Sequence, residues 1–290
     1  MNTLDKKYLN SLRNIISNGE RKSNRTGIDT IAVAGTMIQH DMFEGFPILT
    51  TKKLSFKNIA SELEFFIKGL NSKRWLQERG NHIWDNWANS RKVPYGTDDV
   101  TRKLMREEDD LGEIYGRQWR DFHDPNLDGY SGVMHVDQLK GIVDTLKNNP
   151  NDRRMICCAW NPLALDRMAL VPCHTLWQVT VINGKLNLLW YQRSCDSFIG
   201  IPYNLASYGL LLHLLAKESN LKEGKLVGFF GDYHIYVNHL KQVKEQMTRT
   251  PFDLPRIQTS NFKSIFDWQY TDSELVNYQA HPSIKAEIAV

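Results

Sequence analysis

The sequence predicts an α+β fold in one domain, with a large mixed or antiparallel β-sheet and flanking helices. Three observations carry this prediction. The chain has 290 residues, 41% hydrophobic and 24% charged, enough for one large core. Apolar and polar residues alternate through 176–192 around Asn183-Gly184, a strong hairpin signal. The segment 204–218 is apolar almost throughout and predicts a helix buried on most sides.

Helical periodicity accounts for four further segments. An apolar stripe runs from Leu4 to Ile16 and stops near Gly19. KNIASELEFFIKG predicts a helix ending at Gly69, and VDQLKGIVDTLKNNP predicts one stopped by Pro150. VNHLKQVKEQMTR predicts the last helix.

Strand patterns fill the remaining sheet. The segment 31–37 predicts a strand with Gly35 as a bulge, and MICCAW and GKLVGFFGDYHIY predict two more. The stretch 90–110 is polar and interrupted by proline and glycine, which is typical of a surface insertion. We find no internal repeat or linker, so residues 1–290 are expected to form a single catalytic domain.

Composition excludes several classes of protein. The net charge is +3, from 36 basic and 33 acidic residues, and the aromatic residues are not interleaved with a basic stripe, which argues against a nucleic-acid partner. No apolar run approaches the roughly 20 residues that span a bilayer. The four cysteines form no CxxC pair, which favours free thiols in the cytoplasm. Walker A, GxGxxG, HExxH and zinc spacings are absent from the sequence, so we expect no bound metal.

Cys173 lies on a stiff corner, between Pro172 and His174. A nucleophilic thiol needs a fixed direction and nearby positive charge that lowers its pKa. The alternative is a buried inert thiol, and Cys157, Cys158 and Cys195 fit that alternative because they lie on apolar strand patterns.

Glu62 falls on the apolar face of its predicted helix. A desolvated carboxyl there has a raised pKa suited to acid–base chemistry. The alternative is a glutamate at the edge of the face that reaches water. Glu64, two residues on, is expected to be the solvated one.

Three arginine sites adjoin turns or strand ends: Arg25, Arg153-Arg154, and Arg193 beside Ser194. Each alone suits a surface ion pair, but together they favour a phosphorylated ligand. Asn204 suits either a helix N-cap or the edge of a uracil ring.

Aromatic and imidazole side chains leave two more choices open. His234 and Tyr236 alternate on one strand face, where they would either bond a sugar hydroxyl or simply pack. Trp84 and Trp87 would form a stacking platform or part of the core.

Taken together, these segments resemble the folate-dependent thymidylate synthase family over nearly the whole chain. The matching motifs occur in order: NRTG, FPILTTKK, SELEFFIKG, HIWDNW, GEIYGRQWR, DRRM, ALVPCH, QRSCDSFIGIPYN, GDYHIY and the terminal IAV. The resemblance implies a thymidylate synthase-like fold and reductive methylation of dUMP to dTMP. It also implies 5,10-methylenetetrahydrofolate as co-substrate and a homodimer with shared active sites.

The resemblance also implies a role for each matching residue. Cys173 would attack carbon 6 of the uracil, and Glu62 would help remove the proton from carbon 5. The other implied catalytic residues are Asn204, Tyr115, His174 and Asp196. The implied dUMP ligands are Arg25, Arg193, Ser194, Asp196, Asn204, His234 and Tyr236, with Arg153 and Arg154 from the second subunit. The implied folate contacts are Lys52, Trp84, Asp196 and Val290.

Two departures from the family pattern keep other functions open. Glu113 replaces the usual proline in GEIYG, and Glu64-Phe65 replaces Leu-Trp. Extra carboxylate near the cleft would favour water over hydride and make the chain a dUMP hydroxymethylase. Trp84 and the IAV terminus, which shield the reacting carbon in the family, favour the synthase. A silent nucleotide- or RNA-binding protein is the third alternative, and the retained Cys173, Glu62 and Asn204 argue against it.

Overall fold

A mixed β-sheet forms the centre of the computed structural model, which describes residues 2–87 and 109–289. Within these residues, six strands follow the spatial order β1-β2-β6-β5-β4-β3. The strands are β1 (Glu20–Lys22), β2 (Thr30–Asp41), β3 (Ile156–Cys158), β4 (His174–Ile182), β5 (Lys185–Asp196) and β6 (Lys222–Tyr236). A separate hairpin pairs β7 (Arg256–Thr259) with β8 (Ser273–Val276). The predicted mixed sheet with flanking helices is confirmed. The insertion predicted at 90–110 lies outside the described residues, apart from its last two positions.

The helices flank this sheet. They are α1 (Thr3–Asn18), α2 (Phe56–Ile67), α3 (Lys73–Gln77), α4 (Tyr115–Arg120), α5 (Gln138–Asn148), α6 (Gly200–Glu218) and α7 (Leu240–Met247). Helices α1 and α5 begin at side-chain caps: Asn2 accepts from the amide of Asp5, and Asp137 from the amide of Lys140. The predicted helices are all present, whereas α3, α4, β1 and the β7–β8 hairpin had no predicted counterpart. No helix among the described residues is long and apolar enough to cross a membrane.

Helix α6 lies in the hydrophobic core, as its apolar sequence predicts. It is buried over most of its length, and the Tyr208 ring stacks on Trp190 of β5 with centroids 4.9 Å apart. Strands β5 and β6 are parallel, and α6 is the crossover that parallel neighbours require. The helix begins at Gly200, four residues before the segment in which it was predicted.

Two turn predictions have different outcomes. Asn183 and Gly184 both have positive φ, 51° and 69°, as a type I′ hairpin turn demands. Gly35 also has positive φ, at 77°, but the pairing of β2 with β6 keeps one register on either side of it. No residue is inserted there, so the predicted bulge at Gly35 is wrong.

Candidate active site

The sheet topology gathers the predicted site residues at one edge. Because β5 and β6 are parallel, their carboxyl ends, Arg193–Asp196 and His234–Tyr236, lie side by side. Strand β4 is antiparallel to β5, so Cys173, just before it, lies at that edge too. Strand β2 starts opposite Tyr236, which places the turn that carries Arg25 beside them.

Hydrogen bonds on both sides hold the Cys173 corner. Its amide donates to the Tyr115 hydroxyl at 2.8 Å, and its carbonyl accepts from the amide of Arg193 at 2.8 Å. The Arg193 guanidinium donates to the carbonyls of Pro172 and Val171 at 2.8 and 3.1 Å. These contacts use two of its five N–H groups and leave the others for a ligand.

The pKa of the Cys173 thiol is raised, whereas nearby positive charge was expected to lower it. Burial raises its pKa, and the opposing influence of Arg193 and Arg25 is smaller. The expected cations are therefore present, but burial outweighs their effect on the pKa of the thiol. Cys157 and Cys195 are fully buried, and burial raises the pKa of both thiols, as expected of inert cysteines.

Glu62 of α2 is the unusual carboxyl that the sequence predicts. Burial raises its pKa to about 7, although Trp84 Nε1–H donates to its Oε1 at 2.7 Å and opposes the rise. The side chain is half-buried and lines a cavity. This placement favours the acid–base interpretation of Glu62 over that of an edge glutamate.

The two extra carboxylates do not belong to this cavity. Glu64, expected to be solvated, is only 2% exposed; it pairs with Lys68 and accepts from the amide of Tyr270 at 2.8 Å. That prediction is wrong because the helix face is covered by the segment around Tyr270. Glu113 lies beside Arg117, at 3.8 Å. Neither carboxylate lines the cavity, so the argument for water as the second nucleophile loses its basis.

The cavity beside Glu62 has a volume of about 240 Å³. It is lined by Glu62, Ile83, Trp84, Trp87, Leu170, Ile199, Gly200, Tyr203, Asn204 and Ile288. The indole Nε1 of Trp87 is buried with no hydrogen-bond partner among the described residues. Apolar walls with a few unpaired polar groups suit a flat heteroaromatic ligand. Leu170, Ile199 and Tyr203 were not predicted here, since apolar residues carry no functional signal in sequence.

Asn204 projects into this cavity from inside a helix. It is the fifth residue of α6, whose N-cap is Ile199, so the interpretation of Asn204 as a cap is wrong. Asp196 Oδ1 accepts from the amides of Phe198 and Ile199, at 2.9 and 3.0 Å, in the turn that leads into the helix. Because Asn204 lines the cavity, its amide is available to a ligand.

A group of stacked and hydrogen-bonded polar side chains lies next to Cys173. His174 stacks on Tyr115 with centroids 4.0 Å apart, and its Nδ1 hydrogen-bonds the Tyr208 hydroxyl at 2.8 Å. Burial lowers the pKa of His174 to about 3, so the imidazole is neutral near pH 7. This group places two hydroxyls and a neutral imidazole next to the Cys173 corner. Tyr208 belongs to it, although the sequence analysis did not predict a role for this residue.

His234 and Tyr236 lie on one face of β6, as predicted, with ring centroids 5.2 Å apart. His234 Nδ1 lies 3.0 Å from Asp232 Oδ1, which leaves Nε2 for another partner. Ser194 lies across from Asp232 on β5.

Lys52 and Val290 are two of the predicted folate contacts. Lys52 is 5% exposed, and its ammonium donates to the carbonyl of Phe198. Burial lowers the pKa of Lys52 to about 7. This interior placement does not fit the expected contact with a glutamate tail, and Lys52 instead holds the loop before α6. Val290 lies outside the described residues, although Ile288 lines the cavity.

Arg153 and Arg154 are exposed and far from Cys173 of their own chain. Arg154 pairs with Asp152 at 2.6 Å. The carbonyl of Met155 accepts from the amide of Val179, six residues along β4 from Cys173, which corresponds to roughly 20 Å. The structure thus does not bring these two arginines to the site of the same chain.

Comparison with known proteins identifies the family that this chain resembles along its length. The family model described as thymidylate synthase matches residues 6–290. A curated thymidylate synthase from Staphylococcus haemolyticus is 42% identical over an alignment that spans 100% of both chains. Another from Corynebacterium aurimucosum is 41% identical, covering 98% of this chain and 97% of its own.

Proposed function

Because this chain belongs to the thymidylate synthase family, whose members are methyltransferases of dTMP biosynthesis, we propose that it methylates dUMP through a covalent adduct on Cys173. The full-length similarity supports the synthase and does not favour the hydroxymethylase. The observation that carries the residue-level proposal is the convergence of Cys173, Arg193 and Asn204 with Glu62 around one edge and cavity.

Cys173 is the nucleophile in this proposal. Its thiol passes its proton to the polar groups beside the corner, the sulfur bonds to carbon 6 of the uracil, and the electrons of the 5,6 double bond move to carbon 5, which then becomes the nucleophile. The carbon 6–sulfur bond breaks again, with the sulfur as leaving group, when the methylated product is released. Arg193 and Arg25, the two cations that already oppose the raised pKa of the thiol, bind the phosphate together with Ser194. His234 and Tyr236 take the ribose hydroxyl, and Asn204 pairs with the uracil edge.

Glu62 accepts the proton that leaves carbon 5 in this proposal. A carboxyl with a pKa of about 7 is partly ionised near neutral pH and takes up a proton readily, directly or through water. Tyr115 and neutral His174 extend the proton network behind the thiol.

The lining of the cavity supports a folate co-substrate. Trp84 and Trp87 offer flat apolar faces, Leu170 offers a further apolar contact, and the Trp87 Nε1–H, without a partner among the described residues, offers a donor to a ring acceptor. When bound, 5,10-methylenetetrahydrofolate supplies the one-carbon unit and the hydride. The chain contributes a water-excluding wall around carbon 5, which favours hydride over water as the second nucleophile.

A homodimer is part of the same proposal. Four exposed apolar side chains stand in register across β2, β6, β5 and β4: Met37, Phe229, Tyr191 and Leu176, 36–56% exposed. Their sequence neighbours Trp190, Phe230 and Trp177 face the core, so the stripe lies on the opposite face of the sheet from α6. A second copy packed there would cover the stripe and bring Arg153 and Arg154 to the other chain's phosphate site. We also propose a cytoplasmic location, which the four free cysteines support.

Product identity tests the proposal directly. The protein is mixed with dUMP and 5,10-methylenetetrahydrofolate. The mass of the nucleotide product is determined by mass spectrometry, and dihydrofolate is followed by absorbance. Methylated nucleotide with equimolar dihydrofolate supports the synthase. Hydroxymethylated nucleotide without dihydrofolate would replace it with the hydroxymethylase, and absence of turnover with retained dUMP binding would leave a binding protein. Glu64→Gln and Glu113→Gln should form the same product as wild type, because neither carboxylate lines the cavity.

A further inference from the structure

Four charged or imidazole side chains meet outside the active site, in the segment that follows α4. Asp121 Oδ1 lies 2.6 Å from Nδ1 of His135 and 3.7 Å from Nδ1 of His123. His123 Nε2 lies 3.0 Å from Asp128 Oδ1. Asp121, His123 and His135 each offer one ligand atom within 4.8 Å of the others. Ligand atoms around a tetrahedral Zn²⁺, with bonds of about 2.0–2.1 Å, lie about 3.3 Å apart, so the observed separations bracket that value.

His123 has an oxygen atom beside each of its ring nitrogens. Its side chain is 2% exposed, and both ring nitrogens face oxygen: the Asp121 carbonyl at 2.8 Å from Nδ1 and the Asp128 carboxylate at Nε2. A neutral imidazole has a single N–H, so one nitrogen would direct its lone pair at an oxygen lone pair. Nε2 lies 3.0 Å from the Asp128 carboxylate, and Nδ1, on the other side of the ring and 3.7 Å from Asp121 Oδ1, is the nitrogen that a metal would take. A carboxylate that orients a ligating histidine in this way is typical of metal sites.

The surrounding charges also favour a cation. Arg117 pairs with Asp121 through Oδ2, which lies 3.0 Å from Nη2, and Oδ1 lies beside the two histidines. Glu113 interacts electrostatically with His123, Asp121 and Asp128, and its Oε2 is buried without a hydrogen-bond partner among the described residues. Three carboxylates and one guanidinium leave an excess of negative charge.

We propose that Asp121, His123 and His135 bind a divalent transition-metal ion of the Zn²⁺ type, with Asp128 as the residue that orients His123. Two imidazoles and a carboxylate are ligands that Zn²⁺ accepts, and a water completes the tetrahedron. The spacing D-x-H-x₄-D-x₆-H is not among the usual zinc patterns, which is why the sequence predicted no metal.

The site would tie a loop to the helix that carries Tyr115. Backbone bonds between Phe122 and Val136, at 2.9 and 3.0 Å, close the base of the loop. The carbonyl of His123 accepts from Asn161 Nδ2 at 2.7 Å, and the same nitrogen donates to Gln118 Oε1 of α4 at 3.1 Å. A metal there would stiffen the support of α4 and raise the thermal midpoint.

Metal binding by the full-length protein, without nucleotide, tests this site independently of the proposed function. Chelator-treated protein is titrated with Zn²⁺ by calorimetry and with Co²⁺ by visible absorption. We expect one Zn²⁺ per chain, a low-coordinate Co²⁺ spectrum and a higher melting temperature with Zn²⁺. Asp128→Asn should weaken Zn²⁺ affinity about 10–100-fold, and His135→Ala, at a half-exposed position, should abolish the Co²⁺ spectrum.

The matched control is His82→Ala. His82 is an exposed histidine 2.9 Å from a carboxylate, Asp85, without a second imidazole, so its loss should leave Zn²⁺ binding unchanged. Circular dichroism confirms that each variant is folded. Absence of stoichiometric Zn²⁺ in the wild type would overturn the proposal. Equal Zn²⁺ affinity in wild type and a folded His135→Ala would overturn it as well.

Discussion

The indole Nε1–H of Trp84 donates a 2.7 Å hydrogen bond to Glu62 Oε1, the carboxyl that we propose as the proton acceptor. This bond favours the ionised form, whereas burial, the larger influence, favours the neutral form and raises the pKa to about 7. The acid limb of the kcat/KM profile should therefore lie near pH 7 in the wild type, with activity rising as Glu62 loses its proton.

Trp84→Phe removes the donor that lowers the pKa of Glu62. The acid limb should move to higher pH, by about one unit, because a hydrogen bond to a charged group contributes about 1.5–3 kcal/mol and one unit corresponds to about 1.4 kcal/mol. Trp87→Phe is the matched control, since Trp87 lines the same cavity without a bond to Glu62. An acid limb at the wild-type position in Trp84→Phe would show that this bond does not set the titration.

Cys173→Ser should abolish turnover and keep nucleotide binding, because the phosphate and uracil contacts come from other side chains. The 5-fluoro analogue of dUMP, with folate present, should label the wild type covalently and leave the variant unlabelled in intact-protein mass spectra. Cys158→Ser is the control: its partly buried thiol donates to the carbonyl of Trp160 at 3.3 Å and has no role in the proposed reaction. Labelling of Cys173→Ser would refute the assignment of the nucleophile.

Arg154→Ala and Cys173→Ala should each be weak or inactive alone and recover activity when their subunits are exchanged. In a mixed dimer one site has every part intact, so an equal mixture should reach about a quarter of wild-type activity. Cys173→Ala mixed with Glu62→Gln is the control, because both residues serve the same chain's site and no mixed dimer has an intact one. Recovery in the control, or none in the test mixture after proven exchange, would contradict shared sites.

Asn204→Asp should weaken dUMP and improve dCMP as substrate. The amide offers an acceptor to the uracil N–H and a donor to its carbonyl, and cytosine presents the opposite pattern. A mismatched buried group costs about 1–3 kcal/mol, roughly tenfold to a hundredfold in kcat/KM. Asn204→Ala should lose dUMP activity without gaining dCMP activity. An unchanged ratio of kcat/KM for the two nucleotides in Asn204→Asp would move uracil recognition to another residue.

The site could be predicted from sequence wherever a local pattern constrains a side chain. The Pro172-Cys173 corner, the Asn183-Gly184 turn and the apolar run that becomes α6 each depend on neighbours within a few residues, so their types and positions were predictable. The ordered motifs along the chain also predicted the family, and the comparisons confirm it.

Only the tertiary structure decided burial, charge balance and contacts between distant segments. Glu64 is shielded from water by the segment around Tyr270, which is 206 residues away in sequence. Helical periodicity gives no information about such a distant contact. The pKa of Cys173 rises because desolvation at the sheet edge outweighs two arginines, a balance that depends on packing. Asp121 and His135 meet because backbone pairing closes the loop between them. Sequence alone determined which groups are available for chemistry; long-range packing determined which groups meet and how far each is removed from water.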